Sequence, residues 1–289
     1  MAESPDQTQP FTLDKSSIRQ SFNRAAGHYD DLAVLQAEIG QRMMERLLLI
    51  RIQPGWIADI GAGTCRLTKK LHRQYPRSSM IAVDIAESML AQSGRAPLWR
   101  FRKPPLHRVC GDAEQLPMLD ASVDMIFSNL SLQWCNDLDH VFAEFRRVLK
   151  PDGLLLFSTF GPDTLIELRQ CWHSIDRYNH INTFIDMHDI GDALLRCGFS
   201  DPVMDMEMMT MTYRDALQLM QELKRIGAHN VSDGRPRGLT GRQHLQKLLS
   251  GYEQYRNRDG LLPASYEVIY GHAWLPDAPA VGTVSPLEA

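Results

Sequence analysis

Trp56-Ile57-Ala58-Asp59-Ile60-Gly61-Ala62-Gly63-Thr64 decides the fold. A short apolar run ends in an acid and then a Gly-x-Gly. This reads as a buried strand, a tight turn and a helix over Arg66 to Tyr75. Glycine permits the turn and lets backbone approach a ligand without a Cβ in the way. The helix start behind it offers free N–H groups. A second apolar run, Ser79 to Val83, ends in Asp84, about 20 residues past the glycines, where a dinucleotide fold places the carboxylate that takes ribose hydroxyls. The unit is therefore read as a nucleoside-binding βαβ. The third glycine of the dinucleotide fingerprint is missing, because position 66 is Arg, so no pyrophosphate cradle is expected.

Working outward, strands are expected over His107–Cys110, Val123–Asn129, Leu154–Phe160, Val203–Tyr213 and Ser265–Trp274. Helices are expected over Lys15–Ala26 with Asp14 as N-cap, and over Leu32–Ile50 after a break at Gly27-His28-Tyr29-Asp30. Others are expected over Ala86–Gly94, Asp139–Leu149, Asp163–Ile175 and Met187–Cys197. Lys150-Pro151-Asp152-Gly153 reads as a turn, and residues 94–106, with three prolines and four Lys/Arg, as a basic surface loop. Strands alternating with helices at this spacing mean a doubly wound parallel sheet. The ligand should lie across the carboxyl ends of the first, second and fourth strands.

Composition narrows the class. The chain has 289 residues, 44% hydrophobic and 23% charged, which suits a globular protein. A net charge of −4 gives no global pull toward nucleic acid or membrane. Cys65, Cys110, Cys135, Cys171 and Cys197 form no Cys-x-x-Cys pair and read as reduced thiols, so neither a disulfide frame nor a metal site is expected. No apolar run reaches membrane-spanning length, and Met1–Pro10 is polar with no export or organelle signal, which places the expected location in the cytoplasm. Residues 1–13 are expected to be disordered and 276–289 to form a loose tail. Five methionines within Met204–Met211 read as core filler. The stretch 214–259 is helical and carries nine Lys/Arg against five Asp/Glu, a basic insert on an acidic protein.

The order acid-x-Gly-x-Gly, then Asp84, then Gly111-Asp112-Ala113-Glu114, resembles the class I S-adenosylmethionine (SAM) methyltransferases. That resemblance implies a Rossmann-like seven-stranded sheet with the last strand antiparallel and a helical insert before it, and SAM as cofactor. It implies Asp84 on the ribose, Asp112 and the Ala113 backbone on the adenine, Gly61 and Gly63 beneath the methionine moiety, and Asp59 toward its amino group. Asn129 and Leu130 would face the amino-acid end, with Tyr29 folding over it as a lid.

Longer stretches resemble one family more closely, the malonyl-acyl carrier protein O-methyltransferases of biotin synthesis. They are Ser21-Phe22-Asn23-Arg24-Ala25-Ala26-x-x-Tyr29-Asp30, Ser128-Asn129-Leu130-Ser131-Leu132-Gln133-Trp134, and Phe160-Gly161-Pro162-Asp163-Thr164-Leu165-x-Glu167-Leu168-Arg169. Leu223-Lys224-Arg225-Ile226-Gly227-Ala228-His229-Asn230 and Leu262-Pro263-Ala264-Ser265-Tyr266-Glu267-Val268 complete the likeness over about residues 15–275. What this implies is a methyltransferase domain over 14–275, with lid helices over 14–54 and a substrate insert over 214–262. The substrate would be a malonyl thioester, on acyl carrier protein or CoA, whose free carboxylate takes the methyl group. A carboxylate has an ordinary pKa near 4, so it needs no general base. Lys224, Arg225 and Arg169 are the candidate cations for it, His229 and Tyr266 candidate donors, and Gln133 and Trp134 candidate walls. The basic insert, with Arg235, Arg237 and Arg242, and the Arg95–Lys103 loop are candidate docking surfaces for an acidic carrier.

Other readings stay open at this point. The Phe160–Arg169 motif is shared with the arginine-hydroxylating assembly factor of respiratory complex I. A methyltransferase acting on another small acid or a quinone, and a SAM-binding scaffold without catalysis, use the same fold. Negative charge and the lack of an Asn-Pro-Pro-Tyr-type tetrapeptide after the fourth strand argue against a nucleic-acid substrate.

Overall fold

The computed structural model describes residues 12–94, 105–176, 178–228, 230–231 and 241–277. The expected disorder of residues 1–13 and the loose tail therefore fall largely outside the described residues, as do the Arg95–Lys103 loop, His229, Arg235 and Arg237. The N-terminal elements are α1 (Lys15–Ala25), α2 (Tyr29–Leu32) and α3 (Val34–Leu47). The first half of the sheet follows as β1 (Trp56–Ile60), α4 (Arg66–Gln74), β2 (Ser79–Asp84), α5 (Glu87–Ala91), β3 (Leu106–Cys110) and β4 (Val123–Asn129). Then come α6 (Leu138–Val148), β5 (Leu149–Phe160), α7 (Ile166–His173), α8 (Met187–Arg196) and β6 (Ser200–Tyr213). The insert helices α9 (Ala216–Arg225) and α10 (Arg242–Tyr252) precede β7 (Leu262–Trp274).

The seven strands form one sheet in the order β3-β2-β1-β4-β5-β7-β6. β1 to β5 pair in parallel, while β7 runs antiparallel between β5 and β6. Side chains alternate between two apolar layers, as a period of two requires. On β5, Leu154 and Leu156 join the layer of α3, α7 and α10, whereas Leu155 and Phe157 join that of α6 and α8. Aspartates set the helix starts: Asp14 accepts from Ser16 N (3.0 Å), Asp137 from His140 N (3.1 Å) and Asp215 from Gln218 N (2.8 Å). Among the described residues no helix is long and apolar enough to cross a membrane.

Three local expectations are corrected. The break at Gly27–Asp30 contains the short α2, and the long helix is confined to Val34–Leu47. The helix expected from Asp163 begins at Ile166, because Leu165 is left-handed (φ 56°) and its N–H donates to Ser265 O on β7 (2.6 Å). The expected turn at Lys150–Gly153 is part of β5. Its register against β4 shifts there, and Asp152 N and Leu275 N close reciprocal bonds with Leu275 O (2.8 Å) and Gly153 O (2.9 Å). A bulge that keeps its backbone groups paired extends a strand rather than ending it.

Gly271 on β7 lies against Phe157, where a Cβ would sit 2.3 Å from the ring. Phe157 is fully buried beside Phe142, so it has no room to retreat. Gly271→Ala is expected to lower unfolding free energy by about 1–3 kcal/mol through overpacking, read as a shifted midpoint in urea at unchanged slope.

Candidate active site

The turn after β1 is wound tightly. Gly61 (φ 75°), Gly63 (φ 53°) and Cys65 (φ 61°) all occupy the left-handed region. Gly61 N and Ala62 N both donate to Val83 O on β2 (2.8 and 3.0 Å). A Cβ on Gly61 would lie 2.3 Å from the Ser131 Cβ, so glycine is required there by conformation and by packing. Gly63 N then donates to Asp84 Oδ2 (2.8 Å) and Ala86 N to Asp84 Oδ1 (2.8 Å). Each oxygen of Asp84 thus spends one acceptor site on backbone and keeps capacity for a ligand. Burial pushes the Asp84 carboxyl up to about 6 against these two N–H groups. Asp59 is buried and accepts from Thr68 Oγ1 (2.5 Å). Burial raises it to about 7, Thr68 opposing and the nearby Asp84 charge adding. Asp59 lines a smaller neighbouring pocket with Asp30, Gly61 and Thr64 rather than the main cavity.

That main cavity, about 520 Å³, begins over the carboxyl ends of the parallel strands. Gly61, Gly63, Asp84, Asp112, Ala113, Asn129 and Leu130 line this first lobe. Asn129 is fixed by Nδ2 donating to Gln36 O (3.2 Å) and Oδ1 accepting from Ser158 Oγ (2.9 Å). Tyr29 also lines the lobe, and burial, with Asp84 and Asp30 adding, pushes its hydroxyl above the usual range. The N-terminal helices roof it. Lys15 Nζ bonds Asp112 Oδ1 (2.9 Å) and Glu114 Oε1 (3.0 Å), Thr64 Oγ1 donates to Asp30 (2.6 Å), and Ser88 N to Asn23 (2.9 Å). Phe22 meets Trp134 edge-on at 5.2 Å.

The other side of the same cavity, its second lobe, is lined by residues of α7, the 178–184 segment, α9 and β7. Gln133, Trp134, Lys224 and Tyr266 line the cavity. Gln133 Oε1 accepts from Thr159 Oγ1 (3.3 Å). Tyr266 is hydrogen-bonded to Tyr213, whose hydroxyl donates to Glu222 (2.9 Å). Arg225 is exposed at the end of α9, outside the cavity lining. Arg169 is half-buried beside the lining residues Leu165, Leu168 and Trp172 without lining the cavity itself. Its Nη2 donates to Thr164 O (3.2 Å), and its Nε is buried without a partner. Burial lowers its pKa, with Asp163 opposing.

Lys15, Phe22, Ser131, Glu222 and the 178–184 segment were not identified from sequence. Lys15 looks like any helix-face lysine. The aromatic and polar segment between two helices carried a weak signal, since such loops are where binding groups concentrate.

The first lobe fits a nucleoside with a cationic tail. Paired carboxylates with unspent acceptor sites stand beside a glycine turn. Asp112 closes one end, and Ile85, Met89 and Phe22 supply apolar surface for a flat base.

A family model described as a methyltransferase domain matches residues 58–157. The chain is 50% identical to a malonyl-[acyl-carrier protein] O-methyltransferase of Methylovorus sp., over 93% of this chain and 91% of that one. It is 51% identical to a protein of the same name from Gallionella capsiferriformans, over 94% of each. Among solved structures, the YcgJ protein from Bacillus subtilis superposes with a TM-score of 0.58 at 15% identity, over 82% of this chain and 98% of that one, a likeness of fold.

An Asp84 that takes both ribose hydroxyls must be ionised, because protonation turns one of its two oxygens into a donor. Titrated with S-adenosylmethionine, the protein is expected to bind about tenfold more weakly at pH 5 than at pH 7.5, the loss setting in below about pH 6. Asp84→Asn should lower affinity about 10- to 100-fold at neutral pH and flatten that profile. Calorimetry showing the same pH dependence in both proteins would contradict the assignment.

Proposed function

Because the chain belongs to the malonyl-[acyl-carrier protein] O-methyltransferase family of class I methyltransferases, we propose that it methylates the free carboxylate of a malonyl thioester held on acyl carrier protein. The observation that carries this reading is the near full-length match to these relatives, insert included. The two-lobed cavity agrees with it, because one lobe suits the donor and the other opens beside it for an acyl group. The product is a methyl ester whose masked end passes through apolar chain-elongation pockets toward pimeloyl and biotin synthesis.

Bound S-adenosylmethionine supplies a methyl group activated by a positively charged sulfur. The residues of the chain do the rest. Asp84 takes the ribose hydroxyls. Asp112 and the Ala113 backbone bracket the adenine. The Gly61–Gly63 turn runs beneath the methionine part, with Asp59 acting from behind it, and the Asn129–Leu130 backbone faces the amino-acid end. Helices α1 to α3 form the lid, with Tyr29 folded over the donor. Helix α9 of the insert over 214–262 contributes one wall of the acyl lobe.

The substrate carboxylate is ionised near neutral pH and is itself the nucleophile, so no side chain has to remove a proton. What remains is alignment and the exclusion of water. Trp134, Phe22 and Tyr266 supply apolar walls. Lys224 brings positive charge to the cavity, and Arg169 holds an unspent donor one layer behind it. Arg225 and Arg242 are exposed and suit the acidic carrier better than its cargo.

Labelled methyl transfer is expected to malonyl-acyl carrier protein and not to acetyl-acyl carrier protein, which lacks only the carboxylate. Transfer to neither, with S-adenosylmethionine bound, would overturn the reading. Lys224→Ala and Arg169→Ala should each raise KM for the malonyl substrate about tenfold or more. Reversing charge at Arg225 and Arg242 should lower kcat/KM for the carrier-bound substrate and spare malonyl-CoA; equal loss on both would contradict carrier docking.

A further inference from the structure

The segment between α7 and α8 carries polar groups that the nucleoside lobe does not use. His180 stacks flat on Trp172, with ring centroids 3.6 Å apart at 6°. Its Nε2 bonds both oxygens of Asp176 (2.8 and 3.0 Å). A carboxylate only accepts, so Nε2 carries the proton and the ring is fixed in orientation. Two residues on, Asn182 is 6% exposed. Its Oδ1 accepts from Val231 N (3.4 Å), while Asn230 Nδ2 donates to Asn179 O (2.6 Å), so these two stretches hold each other. Both His180 and Asn182 line the second lobe.

The Asn182 oxygen is engaged, which leaves its amide N–H groups as the free end. They have no partner among the described residues. Leu168, Trp172, Ile181 and Phe184 surround the lobe with apolar surface. Asn182 lines the cavity and its amide nitrogen is not among the fully buried unpaired atoms, so the N–H groups stay open to a ligand that brings acceptor oxygens into the lobe.

Resting on the functional reading above, we infer that the Asn182 amide N–H groups bind the free carboxylate of the acyl substrate and orient it for attack, with the His180 ring, its Nε2–H spent on Asp176, as a positioning residue of the same segment. An uncharged amide suits this task. It fixes one carboxylate oxygen by a directional bond without the charge neutralisation that a close cation imposes on a nucleophile. Asp176 and Trp172 act through His180, as groups that position it. Lys224 and Glu222 are the other charged residues lining this lobe, and Glu222 is engaged by Tyr213.

Asn182→Asp keeps the shape and the acceptor for Val231 N–H, and turns an oxygen in place of N–H donors toward the substrate carboxylate. It should raise KM for malonyl-acyl carrier protein at least tenfold. S-adenosylmethionine affinity should stay within twofold of wild type, and so should competitive inhibition by acetyl-acyl carrier protein. His180→Gln should shift the same preference for malonyl over acetyl in the same direction. An unchanged KM, or equal weakening of malonyl and acetyl forms, would overturn the inference while wild-type transfer leaves the functional reading intact. Wild-type protein that transfers no methyl group to malonyl-acyl carrier protein would remove both. If Asn182→Asp fails to bind S-adenosylmethionine, His180→Gln decides alone.

Discussion

The ligand end of this molecule depends on the pinning of Asp84 between Gly63 N and Ala86 N, both at 2.8 Å. Those bonds place a carboxylate at the end of β2 and hold the glycine turn against it, while Gly61 and Ala62 bond Val83 O one residue earlier. The arrangement works against the free protein. Burial raises Asp84 to about 6 and Asp59 to about 7, well above their unfolded values near 4. For groups raised on folding, the stabilisation is fully present below about pH 4 and is lost as pH rises through about 6 to 7. Near neutral pH the ligand-free site therefore holds an ionised Asp84 and a partly ionised Asp59 whose burial lowers the stability of the fold. On the proposed binding mode, ribose hydroxyls on Asp84 and the positive charge of the donor would offset this cost.

Much of this was legible in the sequence because the signals are local. Ile57 to Gly63 announces strand and turn through apolar run and glycine, and Asp84 and Asp112 stand where successive strands end. Asp14 reads as an N-cap and acts as one. The apolar strands followed from periodicity, and the seven-stranded sheet from the resemblance to class I methyltransferases. The misjudged details were decided by distant partners. Leu165 is held off the helix by Ser265, and the Lys150–Gly153 stretch is kept in the sheet by Leu275, a hundred residues on or more in each case. Arg169 and Arg225 occur beside good motifs, yet neither lines the cavity, since the motif does not state which face of a helix its charges occupy. Lys15 and Glu222 gave no local sign, and His180 and Asn182 only the weak one of a polar, aromatic segment between two helices. Their place depends on how α1, α9 and the 178–184 segment fold across the sheet edge.

The chemistry follows from charge. The substrate arrives as an anion, the donor carries a cation, and the ester that leaves is neutral. A base at the reacting atoms would add nothing to an already ionised nucleophile, and water would compete with it. The cavity answers with aromatic walls, Phe22, Trp134 and Tyr266. A malonyl thioester also has an acidic α-carbon, and attack from there would require a base. Attack by oxygen is what separates this account from other methyl transfers on the same fold.

The most direct measurement is therefore the fate of the transferred label. Malonyl-acyl carrier protein methylated with labelled S-adenosylmethionine would be treated with mild alkali and the volatile fraction counted. The account predicts that the label leaves as methanol, because the methyl group sits on a carboxyl oxygen. Label that stays on the acyl chain after alkali would place the new bond on carbon and contradict it.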